Sequence, residues 1–385
     1  MANEWSEPGA LAYAVPRHHF IPARAWARPT EGVQGYWIDR ERDPDRWWQA
    51  VCSDTVIVTQ IDEGRTELTE ENVRKTTYYT CSSTGPSLVF SLLDLLDVHR
   101  GDRVLEIGTG TGWTAGLLSH LAGDAQVTTV EIDPALAAAA GEALARAGRA
   151  PHVLVGDGAE GVPERAPFDR VHVTCGVSTI PYAWIAQTRP GGLIVLPWAG
   201  NHRMLRLTVG EDGTAVGDFH GECTFMPLRS PHQAAGTPQP AGPVGEERER
   251  EVGTDVRGIL TLSPGWWVCL AAFLGTVPAV LDRGNEGILA VLSAGDSHAR
   301  VRLDAEGTAR VWQRGPRNLW DETEEAHRRW TEWGRPDIGR FGMRVTPRGQ
   351  YVWLDDPARP LEDRAGARRN GETTGGIRGE TRGAD

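Results

Sequence analysis

Between residues 88 and 198 the apolar positions alternate between two periods. Residues 88–96, 113–121 and 134–147 repeat apolar side chains at helical spacing, whereas 103–107, 127–131, 152–155 and 171–174 are short runs rich in β-branched residues that read as strands. Strands separated by helices of this length make βαβ units, so the segment predicts a Rossmann-like α/β domain: a predominantly parallel sheet covered on both faces. A later pair of apolar runs, 192–197 and 204–209, flanks the polar turn Gly200-Asn201-His202-Arg203 and predicts a hairpin that closes the sheet edge.

Beyond residue 230 the pattern breaks. Residues 231–252 are rich in Pro, Gly, Ala and Gln and end in the charged run Glu246-Glu247-Arg248-Glu249-Arg250-Glu251, too polar to bury a core, which predicts a linker. Short apolar runs at 260–262, 279–281, 288–291, 299–303 and 309–312 then predict strands. A helix over 317–334 would bury Leu319, Thr323, Ala326 and Trp330, so 253–357 reads as a smaller α+β domain. Residues 358–385, rich in Gly and Arg, predict a disordered tail. Residues 1–80 form an N-terminal region on the substrate side, with an insertion over about 34–79, and 81–230 form the ligand-binding domain. That division suits a chain of 385 residues.

Charge narrows the partners. With 40 basic against 52 acidic residues the net charge is -12, which repels a polyphosphate backbone, so no nucleic-acid partner is expected. The five cysteines lack any C-x-x-C pair, which favours neither a disulfide framework nor a metal site and suits a reducing cytoplasm. Residues 1–10 have no apolar signal core, and no run approaches the roughly 20 apolar residues of a membrane span. Neither secretion nor a membrane is expected, and the oligomeric state is left open.

The chemistry sits in three places along the predicted sheet. Gly108, Gly110 and Gly112 follow an apolar strand and open a helix, where G-x-G-x-G lets backbone approach a ligand without Cβ clashes. Glu131 ends the next strand, where a carboxylate can accept from both ribose hydroxyls. In Gly156-Asp157-Gly158, after the following strand, a carboxylate can accept from an adenine amine while Gly158 lets the ring pack closely. Together they describe a nucleoside cleft. A pyrophosphate would favour G-x-G-x-x-G, whereas here Glu106 beside the turn suits an ammonium or sulfonium centre, so S-adenosylmethionine is the expected cofactor and S-adenosylhomocysteine its product.

Five stretches carry a family resemblance: Val104–Gly112; Gly156-Asp157-Gly158; Ala166-Pro167-Phe168-Asp169-Arg170-Val171-His172-Val173-Thr174; Ile180-Pro181; and Gln187-Thr188-Arg189-Pro190-Gly191-Gly192. In this order they resemble protein-L-isoaspartate O-methyltransferases. The likeness extends upstream to Pro16-Arg17-His18-His19-Phe20-Ile21-Pro22 and downstream to Phe225-Met226-Pro227-Leu228-Arg229. It implies a class I methyltransferase fold with cofactor contacts at Glu106, Gly108, Thr109, Gly110, Gly112, Glu131, Ile132, Asp157, Gly158 and Thr174. It also implies a substrate loop at Ser82, Ser83, Thr84 and Gly85 facing Cys175, with Ser83 and Thr84 as the catalytic pair. Three departures stand out: Thr84 occupies the place of the family's active-site serine, the insertion carries Trp37, Trp47 and Trp48, and a further domain follows. This combination resembles the branch found with ribosomally made peptides, the graspetides above all and related lanthipeptide systems. The resemblance implies methylation of an aspartate in a constrained, modified precursor peptide, then closure to a succinimide. Repair of isoaspartate in damaged proteins is the alternative, and a non-enzymatic peptide-binding scaffold a third.

A carboxylate with pKa near about 4 is ionised at neutral pH, so its methylation needs alignment and exclusion of water rather than a general base. The tryptophans beyond residue 253 read mainly as core. With the insertion they are also expected to form a recognition surface for the peptide.

Overall fold

A computed structural model describes residues 8–30, 34–230, 246–260, 263–275, 277, 279–284 and 287–361. Most of the predicted 231–252 linker and most of the predicted tail lie outside the described residues. The chain runs α1 (Pro8–Ala14), β1 (Arg24–Pro29), β2 (Tyr36–Asp39), α2 (Pro44–Cys52), β3 (Thr55–Ile61), α3 (Glu70–Lys75), β4 (Tyr79–Ser83) and α4 (Pro86–Leu96). It continues β5 (Val104–Ile107), α5 (Trp113–Ala122), β6 (Val127–Glu131), α6 (Pro134–Arg146), β7 (His152–Val155), β8 (Phe168–Val173), α7 (Tyr182–Ala186), β9 (Thr188–Trp198), β10 (Arg203–Val209) and β11 (Ala215–Glu222). Beyond residue 245 come β12 (Arg248–Val252), α8 (Val256–Ile259), α9 (Pro264–Leu274), β13 (Ala279–Gly284), β14 (Gly287–Ala294), β15 (Ser297–Leu303), β16 (Ala309–Arg314), α10 (Leu319–Glu332), β17 (Phe341–Thr346) and β18 (Gly349–Leu354).

Two compact units result: Met1–Gln239 with Gly342–Gln350, and Pro240–Phe341 with Tyr351–Asp385. The first carries the main sheet, order β18-β17-β11-β10-β9-β8-β5-β6-β7, of which β18 from Tyr351 onward falls to the second. The pairs β9–β8, β8–β5, β5–β6 and β6–β7 are parallel, as the alternating periods require. Every residue of β5 is buried, as expected of a central strand covered on both faces. Successive strands run outward from β5 on one side through β6 and β7, and on the other through β8 and β9. The strand order therefore reverses beside β5, where ligands of open α/β sheets bind.

The predicted hairpin of β9 and β10 forms, but it does not close the sheet. β11 pairs antiparallel with β10, and β17 pairs with β11 from Ala215↔Val345 to Asp218↔Gly342. β11 alternates weakly and holds two glycines, and β17 lies far along the chain, so neither left a local pattern to read. The insertion supplies β2 and β3 to a separate sheet, β2-β1-β3-β4, antiparallel throughout. Trp47 is fully buried on one face with Ile38 and Ile57, whereas Trp26, Val58 and Ile61 pack on the other.

The second unit is a five-stranded antiparallel sheet, β12-β16-β15-β14-β13, with α10 packed on β14, β15 and β16 and against α9. Leu319, Thr323, Ala326 and Trp330 are buried on α10 as predicted, and Trp266 and Trp320 are fully buried beside them. Two expectations fail here. The charged run does not belong to the linker: β12 pairs with β16, and its polar groups find partners, Arg250 with Asp321 and Glu324, Glu249 with Arg310. The strand predicted at 260–262 does not form at Leu260, which ends α8; residues 261 and 262 lie outside the described set. The apolar run 264–274 is a helix, apolar on nearly all sides because most of it is buried.

Because β17 shields the edge of β11, truncation after Gln239 should expose an unpaired strand and lower solubility, whereas excising 240–341 and joining 342–350 by a short linker should not. Equal solubility and equal melting temperatures for the two variants would contradict this role of β17.

Candidate active site

The glycine turn lies at the carboxyl end of β5, with Gly108, Gly110 and Gly112 all at positive φ, +91°, +54° and +89°. A cleft opens there. It is lined by Gly108, Thr109, Gly110, Glu131, Ile132, Gly158, Thr174 and Cys175 on the sheet side, and by Ser82, Ser83 and Thr84 facing them. Glu131 is buried and accepts from the amides of Gly110 at 2.9 Å and Asp133 at 3.1 Å. A carboxylate has about four acceptor positions, so two remain for hydroxyls in the cleft. Thr174 Oγ1 donates to the carbonyl oxygens of the turn, at Gly108 and at Ile107, and so ties β8 to β5.

Four predicted residues fall elsewhere. Gly112 packs on α6, where a Cβ would meet that of Ala140 at 3.2 Å. Gly85 packs on Asp54, and Asp157 caps the turn that follows it, accepting from the Ala159 amide at 2.9 Å and from Ser230 Oγ. Glu106 requires a correction: it is fully buried and does not line the cleft. Ile107 does, and successive strand residues face opposite sides, so its neighbour Glu106 points away from the ligand. Burial, reinforced by the charge of Glu131 and opposed by the Thr129 hydrogen bond, pushes its carboxyl up to about 8. It is a neutral acid at pH 7, not an attractor for a sulfonium. Its work is beneath the turn: Thr129 donates to Glu106 Oε2 at 2.6 Å, and the hydroxyls of Thr129 and Thr109 lie 2.6 Å apart.

The substrate loop is held by a residue whose role the sequence did not disclose, Arg17. Its guanidinium is buried, and among the described residues no carboxylate lies within ion-pair distance. Arg17 Nε donates to Ser83 Oγ at 3.1 Å. One terminal nitrogen donates to the carbonyls of Thr55, Ser83 and Thr84 at 2.8, 3.1 and 3.0 Å, and the other to those of Val51 and Ser53 at 3.3 and 3.5 Å. Its central carbon lies over the Trp113 ring of α5, 5.2 Å from the centroid. Burial lowers its pKa to about 10, against the opposing pull of Asp54, and still leaves it charged at pH 7. Because Arg17 occupies an acceptor position on Ser83 Oγ, the serine's own hydrogen is free to donate. The only available signal was membership of the Pro16–Pro22 motif.

The remaining wall comes from residues 225–230. Gly176 exchanges backbone hydrogen bonds with Met226 and Leu228, at 2.8 and 3.0 Å, and Arg229 lies 3.6 Å from Glu131. The neighbouring loop is held by Gln350, which accepts from the Ile180 amide at 2.7 Å and donates to the Ser178 carbonyl at 2.6 Å.

Comparison with known proteins gives the family. The model for protein-L-isoaspartate(D-aspartate) O-methyltransferase matches residues 66–233. The protein-L-isoaspartate O-methyltransferase of Thermococcus onnurineus (strain NA1) is 36% identical over 157 residues, 39% of this chain and 70% of that protein. That of Methanocella arvoryzae (strain DSM 22066 / NBRC 105507 / MRE50) is 34% identical over 174 residues, 43% of this chain and 93% of its own length. The chain belongs to the protein-L-isoaspartate O-methyltransferase family. It is a carboxyl O-methyltransferase that uses S-adenosylmethionine. A solved protein-L-isoaspartate O-methyltransferase shares the fold, with a TM-score of 0.50 and 19% identity over 90% of this chain and 95% of the other.

The cleft fits the family's cofactor on two further counts. A Cβ at Gly158 would meet Ile107 at 2.6 Å, so the floor of the cleft tolerates no side chain there. Burial pushes the thiols of Cys81 and Cys175 up to about 12, which keeps both protonated and poorly nucleophilic beside an alkylating sulfonium. Among the described residues no helix is long and apolar enough to cross a membrane, and no group of three or more His, Cys, Asp or Glu could hold a metal.

The neutral Glu106 has a measurable consequence. The folded chain keeps this proton up to about pH 8, whereas the unfolded chain releases it near 4.5, so the contribution is full below 4.5 and is lost as pH rises toward 8. Glu106→Gln removes the ionisation. Its melting temperature should rise relative to the wild type between pH 5 and 8, by roughly 2–4 °C for each kcal/mol. Parallel melting curves across that range would contradict a buried neutral acid.

Proposed function

We propose that the enzyme methyl-esterifies the side of a peptide chain where an aspartyl residue has isomerised, with isoaspartate the preferred acceptor. The observation that carries this reading is the pairing of a cofactor cleft, Glu131 to Thr174, with Ser83, whose hydroxyl is oriented by the buried Arg17. The names of its relatives support the choice of acceptor.

Bound S-adenosylmethionine supplies an electrophilic methyl group. Glu131, Ile132, Gly158 and the glycine turn, braced by Thr174, would hold it. On the other side Ser83 donates to one oxygen of the acceptor carboxylate and leaves the second, already ionised, as nucleophile. Thr84, which follows β4, supplies a second hydroxyl, without a partner among the described residues. Rate then comes from alignment in a site closed by residues 225–230. In the ester, the backbone nitrogen of the following residue attacks the carbonyl, methanol leaves with the nitrogen's proton, and a five-membered imide forms without further help from the protein.

A second reading, tailoring of a normal aspartate in a ribosomally made graspetide or lanthipeptide precursor, is favoured by Thr84 in place of the family's serine and by the insertion, whose β3 pairs with β4 beside the substrate loop. The five free cysteines, three of them buried, are in keeping with work in the cytoplasm under either reading.

Linear peptides identical except for Asp or isoAsp separate the two when methyl transfer is followed by mass. The proposal expects isoAsp to be preferred by about tenfold or more in kcat/KM. Preference for normal Asp, especially in a macrocyclic peptide, would overturn it in favour of tailoring.

A further inference from the structure

Among the described residues, the sheet of the second unit has one face covered and one with exposed side chains. Ala290, Leu292, Ala299, Val301 and Val311 are buried on the covered face. The opposite face carries two cross-strand rows, Glu249, Trp312, Arg300 and Val291 in one and Glu251, Arg310, Arg302 and Leu289 in the next. Leu289, Arg300, Arg302 and Trp312 line a shallow hollow there. Arg300, Arg302 and Arg310 are exposed.

The two central arginines differ from others in this unit. Arg250, Arg310, Arg317, Arg328 and Arg340 all hold carboxylates. Arg300 and Arg302 have no carboxylate partner among the described residues. Arg300 instead lies 4.5 Å over the Trp312 ring, which fixes the guanidinium plane and leaves its donor edge free. In a chain of net charge -12 this is a local concentration of uncompensated positive charge, an anchor for an anion.

Spacing identifies the anion. Arg300 and Arg302 are two residues apart on one strand, so their side chains leave the same face about 6.6–6.8 Å apart. An extended peptide repeats its own side chains on one face at the same interval. We propose that this face docks an extended acidic segment of the peptide substrate, with carboxylates at alternate positions taken by Arg300 and Arg302 and the intervening apolar contact supplied by Leu289 and Val291. The net charge of -12 disfavours a continuous polyphosphate, so the occupant is a peptide whose carboxylates are spaced to the two arginines. The proposal rests on the peptide-carboxylate reading above, and extends it to a docking site separate from the methyl-transfer cleft.

The test uses the full chain and short fluorescent peptides with Asp at alternate or at adjacent positions, followed by anisotropy. The alternating peptide should bind more tightly, and Arg300→Gln with Arg302→Gln should weaken it by about tenfold, whereas Arg335→Gln, an exposed charge control, should change it by less than about twofold. With an isoaspartyl substrate extended by the alternating segment, the double variant should raise KM and leave kcat unchanged, and the same substrate without the segment should show no difference. Undiminished binding by the double variant, or tighter binding of a single-stranded oligonucleotide at the same salt, would overturn the proposal. Anisotropy needs no methyl transfer, so absence of isoaspartyl methylation with intact peptide binding would count against the proposed acceptor and not against this surface.

Discussion

A single buried cation, Arg17, is the constraint on which the active-site arrangement depends. A guanidinium taken out of water without a carboxylate must be satisfied by oriented dipoles or it destabilises the fold. Here carbonyls from α2, the loop after it, β3 and β4 converge on it, and α5 supplies an aromatic face. The short N-terminal motif thereby ties the insertion and the substrate loop to the helix that follows the glycine turn. A lysine has the charge but not the planar fork that reaches acceptors on α2, β3 and β4 at once.

The cofactor side rests on a complementary device, a neutral acid where a charge would be expected. Glu106 sits under the turn at the centre of the sheet, paired in register with Thr129 and His172. Burial holds the carboxyl protonated near neutrality and lowers the imidazole to about 4, so neither places a net charge beneath the cleft. The formal negative charge facing the ligand is then Glu131, positioned by two backbone amides.

Much of this was legible because it is local. Periodicity placed β5 through β7 and their helices within a residue or two, since each element's burial pattern is written in its own sequence. Glycine spacing located the turn, and Glu131, Gly158 and Thr174 all reached the cleft. What escaped depends on long-range pairing: β11 and β17 are consecutive in the sheet but far apart in the chain, and β12 is charged because its partners on α10 and β16 are charged too. Glu106 was misassigned because adjacency in sequence means opposite faces in a strand. Arg17 was visible only as part of a motif, since its many acceptors are backbone atoms that carry no sequence signature.

The direct test of this account is a double-mutant cycle between Arg17 and Ser83, with Arg17→Met, Ser83→Ala and the double variant compared in kcat/KM, and cofactor affinity measured in parallel. If Arg17 acts by orienting the Ser83 hydroxyl, each single change should cost transition-state stabilisation, and the double variant should cost clearly less than their sum, a coupling of about 0.5–3 kcal/mol, with cofactor affinity little changed in Ser83→Ala. Strict additivity would contradict it, leaving Arg17 a structural residue and Ser83 independent of it.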